Sequence, residues 1–586
     1  MTMHPTTHRG DSADAGPEGR ALATLLDENW EWRLREYPTL ATAVGDPRYD
    51  HLWGDASLAA HERRAGELRG FLNRARAIPA GRLDTAARLN HELFLYEMDL
   101  AVAGLRFRDE MMPLSQMSGV HQDVADIVQI SPRRHLADLQ NIEARLRAVG
   151  VLVDQTIEAM REGAARGLTP PRAILVPVPD QIAGQIADDP ASSPIARLIA
   201  SDLPEGIDLA ARTRQLAAIT RAVGEVVTPA FRKLRTFLVD DYLPRCRQSL
   251  GLSTLPDGEA WYAHSIRAMT SCDLGPKAIH DLGLSEVARI RGEMLAVVGD
   301  TGFKGDLPAL LHHLRSDPRF FFDDKEALLM SYRDICKRLD AALPRLFRTL
   351  PRLPYGVVPV PEYSEKVQTT AYYYPGSAET GRAGYFYANT YDLAARPKWE
   401  MESLTAHEAV PGHHLQIALA QELDGVPAFR RHGHHTAFVE GWGLYAEALG
   451  GEMGLYKDPF SKFGRLTYEM WRAVRLVVDT GLHAFGWSRD QAIAYFEAQA
   501  GKAGHDIRVE VDRYLAWPGQ ALAYKLGELK IKELRQRATA ALGEAFDLRA
   551  FHDAVLLAGA LPLPVLERRV DTWIASVVDT ATPRAV

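Results

Sequence analysis

The chain of 586 residues has little cysteine and no long apolar run. Its three cysteines, Cys246, Cys272 and Cys336, lie far apart and form no CxxC pair. A disulfide framework and a cysteine-rich zinc module are therefore excluded. No uncharged stretch approaches the roughly 20 apolar residues of a membrane-spanning helix, and the polar first twenty residues lack the apolar core of a secretory signal. We expect a soluble, cytoplasmic protein without a membrane partner.

Positive charge is also scarce. The chain has 68 Lys and Arg against 76 Asp and Glu, a formal net charge of −8. Proteins whose main task is to grip nucleic acid or an anionic membrane show a basic excess instead, so we expect no nucleic-acid partner. The 46% hydrophobic and 25% charged content is that of a globular protein with a large core, which excludes disorder as the dominant state.

Helical periodicity dominates the chain. Apolar residues recur at three- and four-residue spacing from residue 20 to about 165, over 209–243, 276–298 and 325–343, and from residue 400 onward. Residues 1–19 are interpreted as a disordered tail. We predict a mainly helical N-terminal part, 20–350, and a catalytic part, 351–586, which together form one continuous domain.

The composition changes between residues 351 and 399, where proline, tyrosine and β-branched residues dominate. Alternation in GYFYANT places Tyr385, Tyr387 and Asn389 on one face of a strand. This predicts a small β-sheet within an otherwise helical protein. The tyrosines either pack on the sheet or bind substrate, and the strand at 370–374 or that at 385–390 can take up an extended substrate backbone as an added strand.

The most informative segment is LTAHEAVPGHHLQ, residues 404–416. A zinc peptidase commonly carries His-Glu-x-x-His on a helix, where two histidines bind zinc and the glutamate activates a water at the metal. Here His407 and Glu408 are followed by Ala-Val-Pro-Gly before His413 and His414. The simple spacing of four residues is therefore broken.

Helix geometry limits how the broken motif can bind one ion. On a straight helix, His407 and His413 point about 120° apart, whereas His407 and His414 share a face but lie about 10.5 Å apart along the axis. Zn–N bonds of about 2.0–2.1 Å hardly suit the second pair. If Pro411 and Gly412 loop out of the helix, the four-residue phase to His413 is restored. We predict His413 as the second ligand, with His414 as the alternative.

A catalytic zinc needs a third protein ligand and an open position for water. The segment TAFVEGWGLYAEAL, residues 436–449, predicts a second helix with Glu440 and Glu447 on one face. Either carboxylate can bind the metal while the other orients a histidine ring from behind. We predict Glu440 as the ligand and interpret His432, His434 and His435 as a solvated loop cluster. A buried polar network without metal is the alternative.

HEAVPGHHLQ, FVEGWGLYAE, DTGLHAFGW and WPGQALAYKLG together resemble the bacterial domain of unknown function 885 family (DUF885), which is similar to the gluzincin zinc metallopeptidases. The resemblance covers most of the chain after the N-terminal tail. It implies one Zn²⁺ with His407, His413 and Glu440 as ligands and Glu408 as the base. The Pro-Gly insertion departs from the motif of ordinary gluzincins, but it is the form that the motif takes in this family.

Downstream, Arg475, Asp479 and His483 recur at four-residue steps on one helix face. Asp479, fixed by Arg475, can hold His483 in one tautomer, so that His483 donates to an oxyanion. A helix-stabilising ion pair is the alternative. Tyr514, before a Pro-Gly turn, is predicted as a second oxyanion donor, and Arg513 or Lys525 as a partner for a substrate carboxylate.

The sequence therefore predicts a mainly α-helical, gluzincin-like protein with a small β-sheet beside a deep cleft between two helical halves. One zinc lies between residues 404–421 and 436–449. We expect a hydrolase, a metallopeptidase of short peptides or amides, in which Glu408 acts as general base while His483 and Tyr514 stabilise the tetrahedral intermediate. The alternatives are another divalent metal in the same site, a zinc hydrolase or lyase of a modified amino acid or small amide, and a non-catalytic helical scaffold.

Overall fold

The computed structural model describes residues 16–581 except 201–205, 362–364, 366–367, 379–380 and 501–503. The chain divides into two compact units. The first comprises the described residues up to Trp261 together with Pro427–Phe429, and the second begins at Tyr262 and resumes at Arg430. Most of the predicted disordered tail, residues 1–15, lies outside the described residues, and the first helix already begins at Pro17.

The first unit is built from helices around one apolar core. Side chains at helical spacing on its longest helix, Leu146, Val149 and Val153, are fully buried there. Two π-helical turns, Val223–Val227 and Leu238–Tyr242, flank its last helix. The helices are α1 (Pro17–Glu36), α2 (Pro38–Val44), α3 (Leu58–Arg76), α4 (Thr85–Gly104), α5 (Val120–Ile130), α6 (Leu136–Ala165), α7 (Arg172–Leu175), α8 (Val178–Ala183), α9 (Pro194–Ala200), α10 (Leu209–Ala222) and α11 (Thr228–Phe237).

The second unit contains most of the later helices. Helix α12 (Gly258–Thr270) begins before the division and ends after it. The remaining helices are α13 (Pro276–Asp300), α14 (Leu307–Ser316), α15 (Lys325–Leu346), α16 (Met401–Glu408), α17 (His413–Gln421), α18 (Ala428–Arg431, whose first two residues belong to the first unit), α19 (Thr436–Leu449), α20 (Pro459–His483), α21 (Arg489–Gln499), α22 (Gly504–Ala516), α23 (Gln520–Leu542), α24 (Leu548–Leu556) and α25 (Leu563–Ala581). Asp306, Asp324 and Asp458 cap three of them, because each side chain accepts a backbone N–H of the first turn.

A three-stranded sheet lies in the second unit, as the composition change predicted. Its strands are β1 (Tyr355–Pro359), β2 (Ala371–Tyr374) and β3 (Gly384–Ala388) in the order β1-β3-β2, with β3 parallel to β1 and antiparallel to β2. The mainly helical class with a small sheet is therefore confirmed. The division at Trp261 lies well before residue 351, because β1 and β2 pack on α15 and α16 of the same unit.

The sheet order corrects one prediction about substrate pairing. Strand β3 is central and hydrogen-bonded on both sides, so the predicted 385–390 strand has no edge for a substrate. Its alternation is as predicted: Phe386 and Ala388 are fully buried, while Tyr385 and Tyr387 are half-buried on the other face. Asn389 is buried and donates to nearby backbone carbonyls, which is a structural role.

Helix α20 is the central element of the second unit. Its side chains are buried along almost the whole length from Phe463 to His483, on all sides of the helix. A helix enclosed in this way has no solvent face for its charged residues. Helix α13 packs along α20, and α19 packs along α23. The polar residues of α20 therefore find their partners on neighbouring helices.

Helices α19 and α23 cross at a pair of glycines. A Cβ placed on Gly527 would overlap the backbone carbonyl of Ala437, and one placed on Gly441 would overlap the backbone of Gly527. The two backbones can approach this closely only because both positions lack a side chain. The crossing fixes the position of Glu440, the residue next to Gly441.

We expect Gly527→Ala to lower the free energy of unfolding by about 2 kcal/mol or more, because overpacking at this crossing forces backbone shifts. The matched control is Gly292→Ala on α13, where a Cβ has open space. It should raise stability by up to about 1 kcal/mol through helix propensity. Denaturant unfolding measures both, and equal effects would contradict the close crossing.

Candidate metal centre

The His-Glu motif lies on two short helices instead of one. Helix α16 ends at Glu408 and α17 begins at His413, so the expected continuous helix over 404–421 is interrupted at residues 409–412. The interruption therefore takes four residues, and not only the Pro-Gly pair. Proline lacks the N–H that would continue the helix, which explains why α16 ends before it.

The connection between α16 and α17 is held by backbone contacts. The Val410–Pro411 peptide is cis, and the Pro411 carbonyl accepts the Trp442 indole N–H at 2.8 Å. A Cβ on Gly412 would overlap the carbonyl oxygen of His407, so glycine is required where the chain turns back. The His414 N–H closes the turn on the Ala409 carbonyl at 3.1 Å.

The structure brings three of the predicted metal-binding residues together. Glu440 Oε2 lies 3.5 Å from His407 Nε2 and 3.5 Å from His413 Nε2. The two imidazole rings stand 4.6 Å apart at 84°. Gly443 leaves room for the His407 ring, since a Cβ there would lie 2.6 Å from it. Within the described residues, the ligand atoms of the three side chains all lie within 4.8 Å of one another.

These atoms fit a divalent cation. Four ligands at about 2.0–2.1 Å from a tetrahedral zinc are about 3.4 Å from each other, close to the 3.5 Å seen between Glu440 Oε2 and each histidine nitrogen. Glu440 Oε2 is buried and forms no hydrogen bond within the described part of the chain. The His413 and Glu440 side chains are 11% and 15% exposed, so solvent reaches the group. Two imidazoles and a carboxylate are a donor set that zinc accepts.

The two imidazoles and the carboxylate also perturb each other's ionisation. Burial would raise the pKa of Glu440, but His407 and His413 hold it well below its usual range. Burial would lower the pKa of His407, but the nearby carboxylates of Glu440 and Glu447 raise it to about 9. A proton on His407 therefore competes with a cation at this site, and metal binding should release it.

Glu447 lies behind the first histidine. His407 Nδ1 is 2.8 Å from Glu447 Oε1, and the Ser403 hydroxyl donates to Oε2 at 2.7 Å. Arg472 Nη2 is 3.5 Å from the same carboxylate. A carboxylate in this position fixes the ring with Nδ1–H towards Glu447 and Nε2 towards the ligand group. The structure thus separates the roles of Glu440 and Glu447 that their spacing left open.

His414 faces away from the three residues. Its Nδ1 is hydrogen-bonded to the Tyr373 hydroxyl at 2.9 Å, and its ring lies 4.5 Å from that of Tyr355. Burial lowers the pKa of His414 to about 4. The alternative second ligand is therefore engaged with the sheet. Glu408, the last residue of α16, is buried and acts electrostatically on the His407 ring.

The predicted Arg475–Asp479–His483 relay does not form. His483 is fully buried, with Nε2 at 2.9 Å from the Tyr514 carbonyl oxygen. Along the axis of α20, His483 also lies about 16 Å from Arg472, the residue of this helix that contacts Glu447. The four-residue spacing places the three side chains on one face, but each has its partner on another helix. His483 is therefore bound to a backbone carbonyl and not placed to donate to an oxyanion.

Asp479 and Arg475 have separate partners. The Asp479 carboxylate accepts the Tyr262 hydroxyl at 2.5 Å and the Gly519 N–H at 3.2 Å. Arg475 donates to Glu510 at 2.9 Å and to the Tyr514 hydroxyl at 3.1 Å. Tyr514 is buried beside α20, and burial raises its pKa. The structure thus places Tyr514 with an arginine and not with His407, His413 and Glu440.

Two further predictions concern substrate carboxylates. Lys525 is fully buried and binds Glu469 and Glu528 at 2.8 Å each, so it has no capacity for a substrate. Arg513 donates to Gln520 and to the Tyr524 hydroxyl. Sequence reasoning missed Arg472 and Ser403, the partners of Glu447. A signal was present, since charged residues recur along α20 at three- and four-residue steps and Arg472 is one of them.

Comparison with known proteins places the chain among bacterial relatives. The family described as "Bacterial protein of unknown function (DUF885)" matches residues 38–570. A crystal structure from Colwellia psychrerythraea, of a "putative lipoprotein", matches with a TM-score of 0.90 and 30% identity over 95% of this chain and 99% of that one. A "putative lipoprotein of unknown function" from Shewanella oneidensis has a TM-score of 0.68 at 18% identity, over 94% and 99% of the two chains, which shows the fold alone. Among curated proteins, none matches.

The descriptions of the similar structures bear on the predicted cellular location. The two structures named above are each described as a putative lipoprotein, so the cytoplasmic location stays a prediction. No helix in the described part of the chain has both the length and the apolar character that a bilayer crossing requires.

Substitution of the proposed ligating side chains tests the metal centre. We expect about one divalent ion per chain in the purified protein, lost in His413→Ala and retained in His414→Ala, because only His413 faces Glu440. Glu447→Gln should weaken metal binding by about 10- to 100-fold, the usual effect of a group that orients a ligand. Elemental analysis and competition with a chelator measure these changes. Full metal content in His413→Ala would contradict the assignment.

The raised pKa of Asp479 predicts that the free energy of unfolding depends on pH. Burial raises its pKa to about 7, although the Tyr262 hydroxyl and the Gly519 N–H act in the opposite direction. An acid whose pKa is higher in the folded than in the unfolded chain holds more protons when folded. Stability therefore falls as pH rises from about 4, the unfolded pKa, to about 7.

Asp479→Asn should remove this contribution, which is on the order of a few kcal/mol. The difference in unfolding free energy between pH 5 and pH 8 should be smaller in the variant than in the unsubstituted protein. Urea denaturation at the two pH values measures it. The same pH dependence in both proteins would show that Asp479 does not ionise as proposed.

Proposed function

The chain belongs to the DUF885 family, and we propose that it is a zinc-dependent hydrolase that cleaves peptide or amide bonds of short peptides. One observation carries the proposal: His407 Nε2 and His413 Nε2 each lie 3.5 Å from Glu440 Oε2, with Glu408 next to the first histidine. Two imidazoles, one carboxylate ligand and an adjacent second carboxylate are the groups that gluzincin-type hydrolysis uses.

A divalent cation in this site would supply Lewis acidity, which polarises a carbonyl group and acidifies water. The chain's own residues would do the remaining work. Glu408 takes the proton from the attacking water and passes it to the leaving amine. Glu447 orients the ring of His407 through its Nδ1 proton. Neither step needs His483, whose Nε2 is bound to a backbone carbonyl.

The sheet offers a place for the substrate backbone. Strand β2 is the outer strand on the side of α16, the helix that carries His407 and Glu408. An extended peptide could add to this edge by backbone hydrogen bonds, with its scissile carbonyl directed towards the metal centre. This mode of binding requires an unfolded segment, which favours short peptides as substrates.

Glu408→Gln tests the proposed chemistry. We expect turnover of blocked peptides to fall by about 100-fold or more, because a general base contributes about 10²–10⁴ in rate. Metal content should stay unchanged, since Glu408 is not among the three grouped ligands. Release of new amines from a panel of di- to hexapeptides measures turnover, and elemental analysis measures the metal. Glu544→Gln, at an exposed position of a short turn, is the control.

Other outcomes would point to the alternatives. Cleavage of acylated amino acids or small amides, with no peptide cleaved, would support a hydrolase of modified amino acids. Metal-loaded protein without turnover on either class would support a scaffold. Equal turnover in the Glu408→Gln variant and the unsubstituted protein would remove Glu408 from the mechanism.

A further inference from the structure

A cluster of buried side chains in the second unit has more positive than negative charge. Arg475 of α20 and Arg513 of α22 share one carboxylate, Glu510, at 2.9 and 3.5 Å. Within the described residues, neither arginine forms an ion pair with another carboxylate. The Arg475 side chain is 4% exposed, so its charge is largely removed from water. A buried charge of this kind is costly unless an anion accompanies it.

The hydrogen bonds of the two arginines are incomplete. Arg475 Nη1 and Arg513 Nε are buried and have no acceptor among the described residues. Their other contacts, apart from Glu510, are neutral: Arg475 donates to the Tyr514 hydroxyl, and Arg513 to Gln520 and the Tyr524 hydroxyl. A buried donor without an acceptor costs free energy. Both the charge and the unsatisfied donors therefore indicate that an anionic acceptor binds here.

Aromatic rings hold the guanidinium groups in fixed orientations. Arg475 lies 4.3 Å from the centre of the Tyr524 ring and 5.4 Å from that of Trp471. Arg513 lies 5.5 Å from the Trp517 ring. Stacking of this kind fixes the guanidinium plane before a ligand arrives. The Arg513 side chain is 13% exposed, which leaves this end of the cluster accessible.

Two helices connect the cluster to the metal centre. On α20, Arg475 lies about one turn after Arg472, which contacts the carboxylate that orients the first histidine. On α23, Tyr524 lies about one turn before Gly527, where α23 crosses α19 beside Glu440. The first connection places Arg475, and the second places Tyr524, which accepts a hydrogen bond from Arg513, about one helical turn from the metal-centre contacts of α20 and α23.

We propose that Arg475 and Arg513 form a subsite that binds a carboxylate group of the substrate near the bond to be cleaved. A guanidinium group can bind a carboxylate through two parallel hydrogen bonds. The carboxylate is either the C-terminus of a short peptide or an acidic side chain. The role in catalysis rests on the proposed hydrolase function, whereas carboxylate binding itself can be measured without turnover.

Calorimetric titration of the full-length Glu408→Gln variant tests the subsite, because this substitution protects the probes from cleavage. The probes are acetyl-Ala-Ala-Ala with a free C-terminus, the same peptide as its amide, and acetyl-Ala-Asp-Ala amide. We expect the free acid to bind about 10-fold or more tightly than its amide. Tighter binding of the aspartate peptide than of the acid would assign the subsite to acidic side chains.

Substitution of Arg513 separates the subsite from carboxylate binding at the metal. In Arg513→Gln, introduced into the same background, the acid should bind no better than the amide, whereas Arg513→Lys should recover part of the difference. The matched control is Arg489→Gln, since Arg489 already forms a complete pair with Asp512 at 2.7 and 2.9 Å. Its removal should leave the preference for the acid unchanged.

Equal affinity of all three peptides, or no binding of any of them, would overturn the subsite, even if the protein cleaves peptides. An acid preference that survives Arg513→Gln would overturn it as well, because the metal would then be binding the carboxylate. A preference for a carboxylate probe that is lost in Arg513→Gln would support the subsite even if the unsubstituted protein shows no turnover. If Arg513→Gln is misfolded by circular dichroism, Arg475→Lys, which keeps the charge but loses the paired geometry, is measured in its place.

Discussion

A charged side chain that is buried needs a partner, and this requirement controls how the helices pack around α20. The helix is enclosed on all sides and still carries Glu469, Arg472, Arg475 and Asp479. Each of these side chains reaches a different neighbouring helix. Glu469 binds Lys525 on α23, and Arg472 contacts a carboxylate on α19. Pairing along one helix thus fixes the elements that carry the metal centre and the proposed carboxylate subsite.

Close backbone contacts set the geometry of the metal centre. Gly412 allows the chain to turn back over the His407 carbonyl, and Gly441 with Gly527 allows α19 to lie directly on α23. These contacts bring a histidine at the end of α16, another at the start of α17 and a carboxylate of α19 into one group. A hydrogen bond to Glu447 then orients the first ring, so the proposed ligands are arranged by the fold itself.

The spacing of residues along the sequence predicted their contacts well where a site requires fixed distances between ligands. It predicted contacts poorly where no such requirement exists. The grouping of the three proposed metal ligands was predictable because one small cation limits the spacing of its ligands. The proposed Asp479–His483 pair rested on spacing of four residues along one helix, a weak interaction that any buried partner can replace. Tyr262 and a backbone carbonyl are those partners, and both come from distant parts of the chain.

By itself, the sequence determined the helical class, the small sheet, the family and the set of residues, His407, His413 and Glu440, that the fold brings together, because each of these depends on periodicity or on short motifs. Only the tertiary structure decided which strand of the sheet keeps an edge, that Glu447 lies behind His407, and that Arg475 meets Arg513 at one carboxylate. These features join side chains from different helices and strands. Their contacts depend on how backbones pack in space, and no local spacing along the chain encodes that packing.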